Sequence, residues 1–132
     1  MKFTYGTQEK LKSKKAIEQL FIEGNSVSSY PLRMVFLKKE HEVAFPIKLG
    51  ISVAKRKVNK AVGRNRIKRV VREVYRMNKC HFSNGLEDQY IAMFLFLDNK
   101  EWGQEILAAK MKKLALKFHV KISEKLISSS ED

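Results

Sequence analysis

The chain has 132 residues, of which 44% are hydrophobic and 10% aromatic, so it can build the modest core of one folded domain. Lys and Arg number 27 against 14 Asp and Glu, and the resulting net charge of +13 favours a polyanionic partner over a neutral substrate. No apolar run is long enough to span a bilayer, no signal-peptide pattern is present, and a lone Cys80 excludes an intramolecular disulfide and a multi-cysteine zinc site. We therefore expect a single cytoplasmic domain over residues 1–132 that ends in a polar tail at 128–132.

The first predicted element is a short helix over residues 14–23. Ser13 is suited to capping its start, and Gly24 is suited to ending it. Three of its apolar residues follow the i, i+3, i+4 spacing of one helix face: Ile17, Leu20 and Phe21. A short additional strand near residues 26–30 would follow this helix.

Two stretches then show the alternation of apolar side chains that is typical of β-strands. In residues 32–39, Met34 and Phe36 would point to one face of a sheet and Val35 to the other. In residues 47–54, alternate side chains would face a core: Leu49, Ile51 and Val53. The residues between these three, including Ser52, would face away from that core.

The second predicted helix, over residues 60–79 with Asn59 as its cap, carries most of the charge. At about 100° per residue, five apolar residues form an arc that can pack on the sheet: Ile67, Val70, Val71, Val74 and Met77. The opposite arc is a predicted stripe, roughly 20 Å long, of one amide and five cations: Asn65, Lys68, Arg69, Arg72, Arg76 and Lys79.

The rest of the chain predicts a turn over residues 82–85, a strand buried on both faces over residues 90–97, and a last helix. That helix would begin at Asp98 or Asn99, and we assign Tyr75 and Trp102 to packing. Its apolar residues keep helical spacing: Leu107, Met111, Leu114, Ala115 and Phe118. The order α-β-β-α-β-α predicts an α+β fold, a single-domain sandwich of one mixed sheet and about three helices.

The charge of residues 55–76 is too concentrated for an ordinary solvated helix. This segment holds ten basic residues and one acid, Glu73, whereas a salt-bridged surface helix would alternate its signs. We interpret it as a nucleic-acid site whose affinity comes largely from counterion release. A DNA-binding helix-turn-helix is disfavoured because no short helix and tight turn precede the segment. A membrane-surface helix would need bulkier apolar residues than the valines found here.

The sequence shows no catalytic or metal-binding constellation. His41, His81 and His119 stand apart from recognisable acidic or histidine partners, and Cys80 reads as a packing residue. No nucleophile with a base, no paired carboxylates and no metal-ligand spacing is visible. The residues themselves therefore predict neither a catalytic site nor a small-molecule substrate.

The same segment resembles the signature of the bacterial ribonuclease P protein subunit family. That signature has basic residues, an Ala-Val pair, and Arg-Asn-Arg followed by Ile-Lys-Arg; here these are residues 55–57, 61–62, 64–66 and 67–69. Residues 49–53 are similar to the family's central strand and residues 20–24 to the end of its first helix, so the likeness covers roughly residues 11–118. Two positions depart from it: Asn59-Lys60 stands where many members have Gly, and Ile17 where many have an aromatic.

The resemblance implies a fold shared with a ribosomal protein, with a left-handed βαβ crossover, and a role in the 5′ maturation of tRNA. The implied partners are a catalytic RNA subunit, which performs the hydrolysis with Mg²⁺ bound mainly by that RNA, and precursor tRNA. A ribosome-associated or general RNA-binding protein without a catalytic partner is the alternative.

The resemblance also assigns residues to two surfaces. Those implied to bind RNA along the basic segment are Lys55, Arg56, Lys57, Arg64, Asn65, Arg66, Lys68, Arg69, Arg72 and Arg76. Those implied to hold the 5′ leader, in a cleft between the first helix and the sheet, are Ile17, Phe21, Val35 and Ser52. An exposed aromatic there can stack on a single-stranded base, although Phe21 is equally suited to the core.

Overall fold

The computed structural model describes residues 10–42, 44–54 and 60–131, which form one four-stranded sheet and three helices. The strands are β1 (Asn25–Ser29), β2 (Leu32–Lys38), β3 (Ile47–Val53) and β4 (Tyr90–Phe96), in the sheet order β1-β2-β4-β3. Strand β2 is antiparallel to β1 and β4, whereas β3 is parallel to β4. The predicted α+β fold with a mixed sheet and three helices is confirmed.

Helix α1 (Lys14–Glu23) has the predicted bounds and the predicted cap. The Ser13 hydroxyl accepts a hydrogen bond from the backbone N–H of Ala16 at 3.3 Å, which satisfies one free donor of the first turn. Gly24 ends the helix with extended backbone rather than a left-handed residue. A Cβ there would contact the Leu20 carbonyl oxygen and lie 3.0 Å from that of Phe36. The glycine therefore allows the helix end to approach β2 closely.

Helix α2 (Ala61–Ser83) begins and ends later than predicted. Its N-cap position is Lys60, which makes no side-chain capping hydrogen bond, so the assignment of the cap to Asn59 is wrong. The helix continues past residue 79 because Phe82 is fully buried in the core. It joins the parallel strands β3 and β4. This β3-α2-β4 unit is therefore the one for which the family resemblance implies a left-handed crossover.

Helix α3 (Gln104–Glu131) begins five residues after Asn99. The Asp98 carboxylate accepts hydrogen bonds from the backbone N–H of Asn99 at 2.7 Å and from Trp102 Nε1 at 2.8 Å. These bonds favour a turn over a helix start, as short acidic side chains commonly do. At its other end, the α3 backbone is helical to Glu131, through the segment that the sequence assigned to a polar tail.

Two hydrophobic clusters lie on opposite faces of the sheet. The larger one joins the sheet to α2 and α3 around Phe36, Phe82, Phe94 and Phe118, and the predicted packing residue Tyr75 is buried in it. The smaller one joins the sheet to α1 and contains Leu11, Leu20, Val35, Ile91 and Met93. The predicted alternation along β2 is confirmed, because Met34 and Phe36 belong to the larger cluster and Val35 to the smaller one.

The buried face of α2 differs from the predicted arc. Ile67, Val71 and Val74 are buried as predicted, but the Met77 side chain is 52% exposed, so its placement in the core is wrong. Asn78 occupies that side of the helix instead, and its Nδ2 donates a hydrogen bond to the Val74 carbonyl at 2.8 Å. Within the described part of the chain, no helix is long and apolar enough to cross a membrane.

Candidate nucleic-acid interface

The exposed side of the first half of α2 forms a continuous surface of cationic and amide side chains. We call this the α2 surface; its members are Asn65, Arg66, Lys68, Arg69 and Arg72. Four of them follow the predicted i, i+3, i+4, i+7 spacing along one side of the helix, and Arg66 flanks these four. Arg64, the other predicted residue of this stretch, is partly buried beside them.

The charges of the α2 surface are largely uncompensated. No carboxylate of the described residues forms an ion pair with Lys68, Arg69 or Arg72. Arg66 contacts Glu101 at 3.4 Å, but both side chains are more than half exposed, so the pair is weak. A row of like charges costs stability, and phosphates of a bound polyanion would offset that cost.

The distal part of the predicted stripe behaves differently. Arg76 forms a bidentate ion pair with Glu73, with Nε and Nη2 lying 3.1 and 2.5 Å from the two carboxylate oxygens. These hydrogen bonds lower the pKa of the Glu73 carboxyl and raise the pKa of Arg76. The only acid of the basic segment therefore neutralises its last arginine, and the net positive charge is concentrated closer to the start of α2.

Lys79 does not belong to the exposed surface, so its placement there is wrong. It is only 5% exposed, and its ammonium lies 4.3 Å from the centre of the Phe45 ring. This cation–π contact is possible because α2 turns residues 78, 79 and 82 toward the core. Lys55, Arg56 and Lys57, which the sequence also assigned to RNA binding, lie outside the described residues.

Two lysines that the sequence reading missed extend the α2 surface. Lys10 and Lys12 line a groove of about 190 Å³ together with Lys68, Arg72 and residues 49–51 of β3. The segment before α1 reaches this position because the N–H of Leu11 donates to the carbonyl of Leu49 at 3.0 Å, on the outer edge of β3. This pairing between distant residues brings the lysines to α2, and no local sequence pattern signals it.

The four residues assigned to the leader cleft lie on the face of the sheet that α1 covers. Val35 is buried in the smaller cluster and Ile17 packs against it, so these two form the floor and one wall. Ser52 is partly buried on β3 and pairs with Leu95 of β4, which packs against the smaller cluster. Phe21 is 49% exposed, which excludes the reading of this residue as ordinary core.

The orientation of α1 shows where this cleft opens. Leu20 points into the sheet, and the neighbouring Gln19 accepts a hydrogen bond from Lys39 at 2.6 Å, beyond the end of β2. Relative to Leu20, Gln19 is rotated by about 100° around the helix in one direction and Phe21 by about 100° in the other. Ile17 precedes Phe21 by one helical turn, so Ile17 and Phe21 share the side of the helix opposite Gln19. They therefore border the part of the sheet face that contains Ser52; we call this space the α1 cleft.

The remaining polar groups show no catalytic arrangement in the part of the chain that the structure describes. His41 Nε2 lies 3.2 Å from the Pro46 carbonyl oxygen, and His119 Nε2 lies 3.0 Å from that of His81. No group of three or more His, Cys, Asp or Glu side chains among the described residues could hold a metal ion. Trp102 is partly buried against the larger cluster, so its predicted packing role is confirmed.

Comparison with known proteins identifies the family. A family model described as Ribonuclease P matches residues 6–119. A ribonuclease P protein component of Porphyromonas gingivalis is 42% identical over 90 residues, which are 67% of this chain and 65% of that protein. One from Dictyoglomus thermophilum is 36% identical over 85 residues, 64% of this chain and 68% of that protein. The chain thus spans slightly less than two thirds of the P. gingivalis relative.

Solved structures show the same fold at low sequence identity. The RNase P protein of Staphylococcus aureus superposes with a TM-score of 0.65 at 21% identity, over 87% of this chain and 94% of that one. The RNase P protein of Thermotoga maritima gives a TM-score of 0.65 at 22% identity, over 80% and 94% of the two chains. The family model, which covers most of the sequence, is the decisive match, and the chain belongs to the ribonuclease P protein family.

Proposed function

We propose that this protein is the protein component of ribonuclease P, which removes the 5′ leader of precursor tRNA. In this proposal the α2 surface binds the catalytic RNA subunit, and the α1 cleft binds the leader. The observation that carries the proposal is the uncompensated charge of Lys68, Arg69 and Arg72 on a chain whose family is ribonuclease P. Together with Lys55, Arg56, Lys57 and Arg64, these residues would contact RNA phosphates.

The chemistry of the two surfaces favours binding over bond cleavage by the protein. The α2 surface offers guanidinium, ammonium and amide groups, and an arginine stays protonated and cannot act as a general base. The α1 cleft offers a half-exposed ring, aliphatic side chains and one hydroxyl. We therefore assign the hydrolysis to the RNA subunit, with Mg²⁺ held mainly by RNA oxygens, which are suitable ligands for this ion.

The two RNA surfaces would act on one substrate complex. The α2 surface reaches the outer edge of β3 through the groove that Lys68 and Arg72 line, and Ser52 lies on the same strand. An RNA bound along α2 would therefore lie beside the strand that borders the α1 cleft. This proximity would let one small protein hold the leader close to the catalytic RNA. As a component of tRNA processing, the protein would act in the cytoplasm.

The test is a cleavage assay with a 5′-labelled precursor tRNA at low Mg²⁺ concentration. We expect no specific cleavage by the protein alone, slow cleavage by the RNA subunit from the same source, and much faster cleavage by the two together. Specific release of the mature 5′ end by protein alone contradicts the assignment of chemistry to RNA. Tight RNA binding without any acceleration favours the alternative of a general RNA-binding protein.

A further inference from the structure

A row of side chains crosses the sheet beside the α1 cleft. Strand pairing places Ser52 of β3 next to Leu95 of β4, Leu95 next to Arg33 of β2, and Arg33 next to Ser28 of β1. All four lie on the face that α1 packs against, since their neighbours along each strand point into the larger cluster. Arg33 is about 10 Å from Ser52 across this face, two strand spacings away.

Helix α1 leaves the end of this row on β1 and β2 exposed, at Ser28 and Arg33, whereas Leu95 packs against the smaller cluster. The helix packs over Val35, Ile91 and Met93, which precede the row in the direction from Lys39 toward Pro31. Ile17 and Phe21 line the side of α1 that faces the row, because Gln19 on the other side is hydrogen-bonded to Lys39. Phe21 and Arg33 therefore border the same open strip of the sheet, one from the helix and one from β2.

Arg33 is exposed, oriented and without an acidic partner among the described residues. Its Nη2 donates a hydrogen bond to Ser26 Oγ at 3.1 Å. Ser26 lies on the edge strand β1 and pairs with Val35, so this bond directs the guanidinium toward the β1 side of Val35, where α1 ends. An arginine has five N–H donors, and the others remain available to a planar anionic group such as a phosphate.

We propose that Arg33 binds a backbone phosphate of the single-stranded 5′ leader while the ring of Phe21 contacts a leader base. This inference rests on the proposed function of the α1 cleft. It adds to the cleft a cation that belongs neither to the four residues implied by the family resemblance nor to the α2 surface. Single-stranded nucleic acid is commonly held in this way, by a basic group along the backbone and an aromatic under the bases. Arg33 would make the strip between α1 and β2 part of the leader path.

The experiment measures the affinity of the reconstituted holoenzyme for precursor tRNA with a long leader, for the same tRNA with a one-nucleotide leader, and for mature tRNA. We expect Arg33→Gln to weaken binding of the long-leader substrate by roughly three- to fivefold, as for one exposed charge contact. The log–log salt slope for that substrate should fall by about 0.7, the value for one phosphate of a single strand. Mature tRNA should bind equally well to both proteins.

Two further variants serve as controls. Arg33→Lys keeps the charge and should retain the salt slope, and Lys113→Gln removes an exposed charge from α3 and should leave all three affinities unchanged. Unchanged long-leader affinity in Arg33→Gln, with an intact effect of Phe21→Ala, overturns the role of Arg33 alone. Equal binding of long-leader and mature tRNA by the unmodified holoenzyme overturns the leader cleft itself, and Arg33 with it. Equal losses for all three ligands in Arg33→Gln also contradict the proposal.

Discussion

The α2 surface and the α1 cleft share one sheet but are built in opposite ways. The α2 surface comes from a single helix, and its positions carry cations that no described carboxylate neutralises at Lys68, Arg69 or Arg72. The α1 cleft needs one helix and at least two strands, and it presents a half-exposed ring above a buried aliphatic floor. Long-range charge suits the backbone of a folded RNA, whereas short-range contacts suit the unpaired bases of a leader.

This difference predicts that binding depends more steeply on salt at the α2 surface than at the α1 cleft, where Arg33 would add one phosphate contact. Binding through the α2 surface should weaken steeply as salt concentration rises, because each phosphate contact releases counterions. Stacking on Phe21 involves no net charge, so its contribution should change little with salt. Each surface can thus be altered by substitution and recognised by its own dependence on salt and on the leader.

The largest effect is expected from Arg69→Ala combined with Arg72→Ala. Loss of two charge contacts should weaken binding to the catalytic RNA by about 2–3 kcal/mol and lower the log–log salt slope by roughly 2. Titration of labelled RNA subunit at several salt concentrations measures both quantities. Lys112→Ala with Lys113→Ala removes the same charge from exposed positions of α3 and is the matched control. An unchanged slope in the arginine variant would mean that the α2 surface is an ordinary solvated helix face.

An intermediate effect is expected from Phe21→Ala. Loss of a stacked base should weaken holoenzyme binding of leader-bearing precursor tRNA by roughly 1–3 kcal/mol and leave the affinity for mature tRNA unchanged. The salt slope should stay the same, in contrast to the arginine variants. Ile22→Ala is the control, since Ile22 is 82% exposed on the same helix and points away from the sheet. If the affinities for precursor and mature tRNA fall equally, Phe21 serves assembly rather than leader binding.

The smallest effect is expected from Glu73→Gln, which releases Arg76 from its ion pair. Removing the carboxylate charge beside Arg76 should strengthen binding to the catalytic RNA by at most about fivefold, the range for one exposed charge contact. Acidification would not serve instead, because the hydrogen bonds from Arg76 hold the pKa of Glu73 below that of an ordinary glutamate, and the pair is lost only as the pH falls through that lowered pKa. Weaker binding after the substitution would show that the pair itself positions α2 for RNA.

Local patterns in the sequence were sufficient to predict most helices and strands and the residues of the α2 surface. Helix α1 has its predicted bounds because Ser13 caps its first turn and the Gly24 N–H donates to the Leu20 carbonyl in its last turn, both of which are local interactions. The alternation along β2 was predictable because each face of the sheet is buried by a different helix. The spacing of Lys68, Arg69 and Arg72 follows from helix geometry alone.

The sequence-based predictions fail where contacts between distant residues, or one individual side chain, determine the structure. Periodicity treats all apolar residues alike, whereas α2 turns the large side chains of Tyr75 and Phe82 toward the aromatic cluster, which exposes Met77 and buries Lys79. Helix α3 starts late because the Asp98 carboxylate binds the turn before it.

Parts of the functional surfaces could not be predicted from the sequence because they depend on contacts between distant helices and strands. The groove with Lys10 and Lys12 depends on the pairing of Leu11 with β3, which no local pattern encodes. Likewise, the α1 cleft could be expected only from the family resemblance, because it exists only once α1 has docked on the sheet. The alternation along β2 predicts that Arg33 shares a sheet face with Val35, but its position relative to Ser26 and Ser52 depends on the register of the four strands.

The central claim is that the two surfaces bind two different RNAs, and a crossed comparison of the two variants tests it most directly. The Arg69→Ala, Arg72→Ala protein and the Phe21→Ala protein, each with an unchanged thermal melt, would be measured for two quantities. These are the affinity for the catalytic RNA and, in the holoenzyme at saturating protein, the ratio of precursor to mature tRNA affinity. We predict that the arginine variant loses only the first and the Phe21 variant only the second. A fall of both quantities in both variants would contradict the account, because it would mean that α2 and the α1 cleft form one undivided RNA site.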